Sequence, residues 1–183
     1  MLELVALGSD RAAAEAAALI TGGTAYVNQP NESDKRPYST MLRASTDEIE
    51  HVRSAADVAL YVCFARIIKP LPEEPSPERA IGAFLMVGHP DLTHRQSDDH
   101  WRFTHAPLAL KSHSAMCDYT QLSVVATLSG MEIDGIALCA FDSREDLSAK
   151  FFNDDDAKAA IGADVAKFAD TKRSPRRVIL NQL

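Results

Sequence analysis

The chain has 183 residues, 46% apolar and 25% charged, with 19 Lys and Arg against 26 Asp and Glu for a formal net charge of −7. These proportions fit an ordinary globular protein and exclude collagen-like, coiled-coil and disordered compositions. The acidic balance lacks the basic footprint of a nucleic-acid binder. No apolar run approaches the roughly 20 residues that a membrane-spanning helix needs, and Met1-Leu2-Glu3 does not open a basic-then-apolar leader. The expectation is a cytoplasmic protein with no nucleic-acid or membrane partner. Cys63, Cys117 and Cys139 sit in or beside apolar stretches and read as free thiols rather than a disulfide set.

In chain order, residues 2–7 form an apolar strand ended by Gly8. Ser9 or Asp10 caps an Ala-rich helix over residues 11–20, which Gly22-Gly23 stops. Residues 24–29 predict a short strand, 30–37 a polar loop and 38–43 the next strand. Ser45 or Thr46 then caps a helix to about Ser54, with Glu48 placed for a capping box from Ser45. Residues 57–67 are apolar at both alternating sets of positions, the mark of a strand covered on both faces.

Pro70, Pro72, Pro75 and Pro77 support neither a helix interior nor a central strand. Residues 69–78 therefore read as a stiff linker between a half at 1–68 and a half at 79–183. The second half repeats the order. Residues 80–87 form a strand. Thr93 caps a helix with Gln96 at the capping-box position, and that helix runs from about His94 to Ala106, where Pro107 limits it; residues 108–112 could add a further turn. Strands at 118–127 and 133–141 follow, then helical pieces to about Phe152 and over 154–168, then a strand at 177–181. Each half thus reads β-α-β-β-α-β. The fold class is α+β: two ferredoxin-like units packed sheet to sheet as an α+β barrel within one chain.

The second half carries a set of landmarks in order: His89-Pro90-Asp91-Leu92-Thr93, Trp101-x-x-x-His105-x-Pro107-Leu108, Asp134-Gly135, Phe141-Asp142-Ser143 and Phe168-Ala169-Asp170. Over about residues 80–182 it resembles the EthD domain family of the dimeric α+β barrel superfamily. The resemblance implies a barrel that binds a small organic compound, aromatic, lactone or keto in type. Cofactor-free oxygenases, isomerases and haem enzymes all occur in the wider superfamily, so it does not choose the chemistry. The first half shares only the element order.

The leading expectation is a small-molecule enzyme without a bound cofactor, using His105 as acid or base. A non-catalytic carrier or accessory protein is the alternative, and an assembly module the third; a homodimer is left open. Trp101 and His105 are four residues apart and can touch on a helix. At a helix C-terminus His105 would gain in its charged form from the helix dipole; the competing role is a structural histidine that anchors the Pro107-Leu108 turn. Asp134 could orient a histidine as a second catalytic residue, or serve as a turn residue before Gly135, the reading the residues favour. On strand 118–127, Leu122 and Val124 are expected to face the helices, which turns Tyr119, Gln121 and Ser123 into the lumen as ligand-binding residues beside Trp101. Five of the six histidines lie between positions 89 and 113, but their spacings match no metal-binding pair, so no metal site is expected and they read as surface residues.

Overall fold

The computed structural model describes residues 1–28 and 36–183. The expected loop over 30–37 and the end of the expected strand 24–29 lie largely outside the described residues. The chain opens with β1 (Leu2–Gly8), whose apolar residues are buried from position 4 onward. Asp10 caps α1 (Arg11–Thr21) by accepting from the N–H groups of Ala12 and Ala13, and Gly22 ends it in the left-handed region at φ 63°. Then come β2 (Thr24–Asn28) and β3 (Thr40–Ala44). The next helical stretch is three short pieces, with α2 (Ile49–Val52) between two tighter turns. The expected capping box from Ser45 to Glu48 does not form, because the Glu48 carboxylate turns to His51 instead. β4 (Ala59–Lys69) completes the first set of strands.

Beyond the proline-rich connection, β5 (Ala80–Met86) leads to α3 (His94–His100). Thr93 and Gln96 make the expected capping box at its start. Pro107 does not end the helical stretch. A π-helical turn over Trp101–His105 carries it into α4 (Ala106–Ser112), with Pro107 in the first turn of α4, where a missing N–H is tolerated. β6 (Asp118–Ser129), β7 (Gly135–Phe141), α5 (Arg144–Ala149), α6 (Asp155–Phe168) and β8 (Val178–Gln182) complete the chain.

All eight strands pair antiparallel in one closed barrel, ordered β1-β3-β2-β8-β5-β7-β6-β4. Each half contributes the strand order of a ferredoxin-like sheet, β4-β1-β3-β2 and β6-β7-β5-β8. Two seams join them: β2 meets β8 at Val27↔Asn181, and the long β4 meets β6 from Leu60↔Ser129 to Lys69↔Tyr119. Closure leaves no free sheet edge. The helices of each half cover the outside of its own sheet.

The lumen is filled by side chains. Leu7, Met41 and Tyr61 from one sheet and Leu85, Leu122 and Leu180 from the other belong to one buried cluster. Leu122 and Val124 therefore point inward, which reverses the expected facing of β6. Tyr119 packs instead with Ala106 and Ala109 of α4 and Ile161 of α6, and Gln121 bonds the Trp101 carbonyl. The physical reason is that both faces of β6 are buried. The helix side supplies hydrogen-bond partners for Tyr119 and Gln121, while Leu122 and Val124 find apolar neighbours in the lumen. No helix among the described residues is long and apolar enough to cross a membrane.

Candidate active site between the second sheet and its helices

A cavity of about 320 Å³ lies between the outer face of the second sheet and the helices over it. Its walls are mainly apolar and aromatic: Phe84 from β5, Trp101 from the π-helical turn, Ala137 and Cys139 from β7, Phe151 and Phe152 after α5, and Ile161 and Phe168 from α6. His105, His113 and Tyr119 supply most of the polar groups in that wall.

His105 is 8% exposed, and its Nδ1 lies 3.0 Å from Oδ2 of Asp164 on α6. His100 bonds the same carboxylate, Nε2 to Oδ1 at 2.9 Å. The two histidines are five residues apart. In a regular α-helix that spacing turns the side chains roughly 140° apart, from 3.6 residues per turn. The wider π-helical turn at Trp101–His105 brings both onto one face. Phe168 packs on both rings, with centroids 5.2 Å from His100 and 5.0 Å from His105. An ionised carboxylate only accepts, so Nδ1 of His105 carries the proton and Nε2 is left without a partner among the described residues. Burial pushes the His105 pKa below its ordinary value, against the pull of Asp164 toward the charged form. Burial alone would raise the Asp164 carboxyl, but the hydrogen bonds from His100 and His105 outweigh it and hold it low. The arrangement is a neutral imidazole fixed in one tautomer beside an ionised carboxylate.

Tyr119 is buried, and burial raises its phenol pKa. Its oxygen accepts from Trp101 Nε1 at 3.1 Å and from Gln121 Nε2 at 3.0 Å. Both donors point at the oxygen, so the phenol's own hydrogen is free for a group in the cavity. Trp101 reaches this position because Gly135 has no side chain; a Cβ there would stand 2.5 Å from the indole ring. His113 donates from Nδ1 to the Phe151 carbonyl and packs on the rings of Phe151 and Phe152.

Of the residues singled out in the sequence, His105, Trp101 and Tyr119 meet at this cavity. Gln121 stands behind Tyr119. Ser123 turns to Asp98, whose carboxyl burial would raise but hydrogen bonds from Arg66 and Ser123 hold low. Asp134 is absent from the cavity wall. It accepts from the Gly88 N–H at 2.6 Å and from His94 Nδ1 at 2.8 Å, so it pins the loop after β5. It does orient a histidine, but that histidine is His94. His105 lies inside a continuous helical stretch rather than at a helix end, so the expected stabilisation of its charged form by a helix terminus does not apply. His105 and His113 are buried, not surface residues. Asp164 was missed. The available signal was a carboxylate on the face of α6 that also buries Ile161 and Phe168.

Residues 89–172 match the model of the EthD domain. No curated protein sequence matches the chain. Among solved structures, an anthrone oxidase-like protein is 12% identical and superposes with a TM-score of 0.57, covering 100% of this chain and 90% of its own. A candidate monooxygenase from Fusobacterium nucleatum subsp. nucleatum is 10% identical with a TM-score of 0.56, covering 100% of this chain and 91% of its own. At these identities the likeness is one of fold: an α+β barrel that spans the whole chain.

Proposed function

We propose that this protein holds a small, mainly aromatic organic compound in the cavity under α4 and α6 and moves a proton on it through Nε2 of His105. The observation that carries this reading is the His105–Asp164 pair: an imidazole neutral by burial, fixed in one tautomer, with its free nitrogen left for a mainly apolar cavity. A base of this kind takes a proton from an acidic C–H beside a carbonyl or from a phenolic O–H, then returns it to another atom of the same compound. Asp164 stabilises the imidazolium formed in between. Tyr119 donates its free hydrogen to the oxygen on which negative charge develops. Ring walls on several sides suit a flat compound. An anthrone, the compound named for one structural neighbour, is a fused aromatic ketone of that kind. In this reading the half at 1–68 supports the barrel and the half at 79–183 holds the site.

Binding is followed through Trp101, the single tryptophan of the chain, which lines the cavity. A panel of aromatic ketones, lactones and phenols is titrated against its fluorescence, and exchange of the bound compounds' acidic protons in heavy water is followed by NMR. His105→Asn should keep binding and lose exchange by roughly 10²-fold or more. Equal exchange in the variant and the parent would end the catalytic reading. Binding without exchange in either would make the protein a carrier.

A further inference from the structure

Of the residues lining the cavity, only Thr171 is exposed, so the cavity opens on the segment that follows α6. Ser174 and Pro175 of the same segment also line it. This segment reads Thr171-Lys172-Arg173-Ser174-Pro175-Arg176-Arg177 and holds four of the chain's 19 Lys and Arg. The chain as a whole is acidic at −7, so this run departs from the surrounding charge. Lys172, Arg173 and Arg176 are exposed, and none of the four cations pairs with a carboxylate of the described residues. The guanidinium of Arg177 lies over Phe151, a ring of the cavity wall, at 5.9 Å.

The segment is held in place. Asp170 N–H donates to the Val87 carbonyl at 2.8 Å, and Val87 N–H donates to Ser174 Oγ at 3.0 Å. Ser174 Oγ in turn donates to the Asp170 carbonyl at 2.7 Å. Asp170, the residue just before the segment, accepts at Oδ1 from the N–H groups of Lys172 at 3.0 Å and Arg173 at 3.1 Å. One oxygen of that carboxylate is committed to the turn, and its single charge stands against four cations. The side-chain cations around it stay available.

We infer that the compound held in the cavity carries an acidic group, a carboxylate or a group of like charge, which stays at the opening and is received by Lys172, Arg176 and Arg177. The inference rests on the cavity being the binding site. Its chemistry follows from the contrast between wall and rim. A charged group inside a wall of rings and neutral side chains would pay its full desolvation cost. At the rim the same group keeps part of its water and meets the cations that the segment carries. The ring system enters, and the acid remains outside.

Two dyes with the same ring system separate the possibilities: anilinonaphthalene sulfonate, which is anionic, and phenylnaphthylamine, which is neutral. Each is titrated into the full-length protein with quenching of Trp101 as the readout. The anionic dye should bind about tenfold more tightly at low salt, and the preference should shrink as salt shortens the reach of charge to about 3 Å at 1 M. In a Lys172→Glu, Arg176→Glu double variant the ratio of the two affinities should fall toward one. Arg177→Gln should lower it by a smaller factor. Equal affinities in the parent protein, or a ratio unmoved by the double variant, would overturn the acidic-group inference and leave the cavity reading standing. If neither dye quenches Trp101, the cavity reading fails and this inference with it.

Discussion

The two sheets share one strand order but treat their helices differently. On the first sheet, α1 presents Ala14 and Ala17 to a layer of Ala6, Ala25 and Ala44 together with Leu4, Leu42, Val52 and Leu60, and that cluster holds no aromatic ring. On the second sheet the corresponding layer holds Trp101, Tyr119, Phe141 and Phe168, with Phe84, Phe151 and Phe152 packed against it. Small residues let a helix lie close to a sheet. Large flat rings cannot all interdigitate, and the π-helical turn lifts one helical stretch locally away from α-helical register. The same topology therefore carries an aliphatic layer in one half and a layer of rings around a 320 Å³ cavity in the other. Side-chain size and one irregular turn make the difference, not strand order.

The largest expected effect falls on the residue that props the second layer. Trp101 is 2% exposed, sits on Gly135 and donates to Tyr119. Trp101→Ala should cost about 3–5 kcal/mol in chemical denaturation, as large core truncations do. A loss below about 1 kcal/mol would mean that the layer does not depend on it. A paired insertion probes the contrast directly. Ala17→Leu places extra volume into the closed first layer and should cost about 1–3 kcal/mol. Ala109→Leu places the same volume against the cavity and should cost less, while weakening the binding of any cavity ligand. If both substitutions cost the same, the two layers are equally tight and the contrast collapses.

Most of the architecture could be read from the chain because local signals agreed with it. Asp10, Thr93 with Gln96, Ser143 and Asp154 each cap the helix they precede. The doubly apolar strand at 57–67 pointed to cover on both faces; β4 does lie at one of the two seams that join the sheets, but its cover is complete only in its first part, since Phe64 and Ile67 are exposed. The site was legible in its residue types and not in its geometry. On β6 the alternation was correct but its sense was not, since Gln121 donates to the Trp101 carbonyl and Ser123 to Asp98 on the helix side. The π-helical turn has no local signature here: Pro107 marked a break where the helical stretch instead widens and continues. Without that turn, nothing in the sequence spacing puts His100 and His105 on one carboxylate.

The smallest effect concerns pH, and its sign follows from burial. His105 and His113 both have pKa values lowered in the folded protein, chiefly by burial. Between those values and the ordinary value of about 6.5, the unfolded chain binds protons that the folded chain refuses. Stability therefore rises with pH across that window and is lost as pH falls below about 6.5. Each histidine contributes a slope of at most about 1.4 kcal/mol per pH unit. Asp164 acts lower: its depressed carboxyl stabilises the fold above the ordinary carboxylate value of about 3.9, and that contribution is lost as pH falls through its folded value. Denaturation at pH 7, 6 and 5 should show the histidine step first. His105→Asn removes one titrating group and should flatten the slope between pH 6.5 and 5; it also takes away one of the two imidazoles that hold Asp164 low, so the acid step below about pH 4 should shrink with it. The first half has no buried histidine: His51 is exposed on α2. A slope unchanged in both the His105→Asn and the His113→Asn variants would show that the histidine step does not arise in the second layer, and the assignment of neutral, buried imidazoles to the cavity wall would then fall.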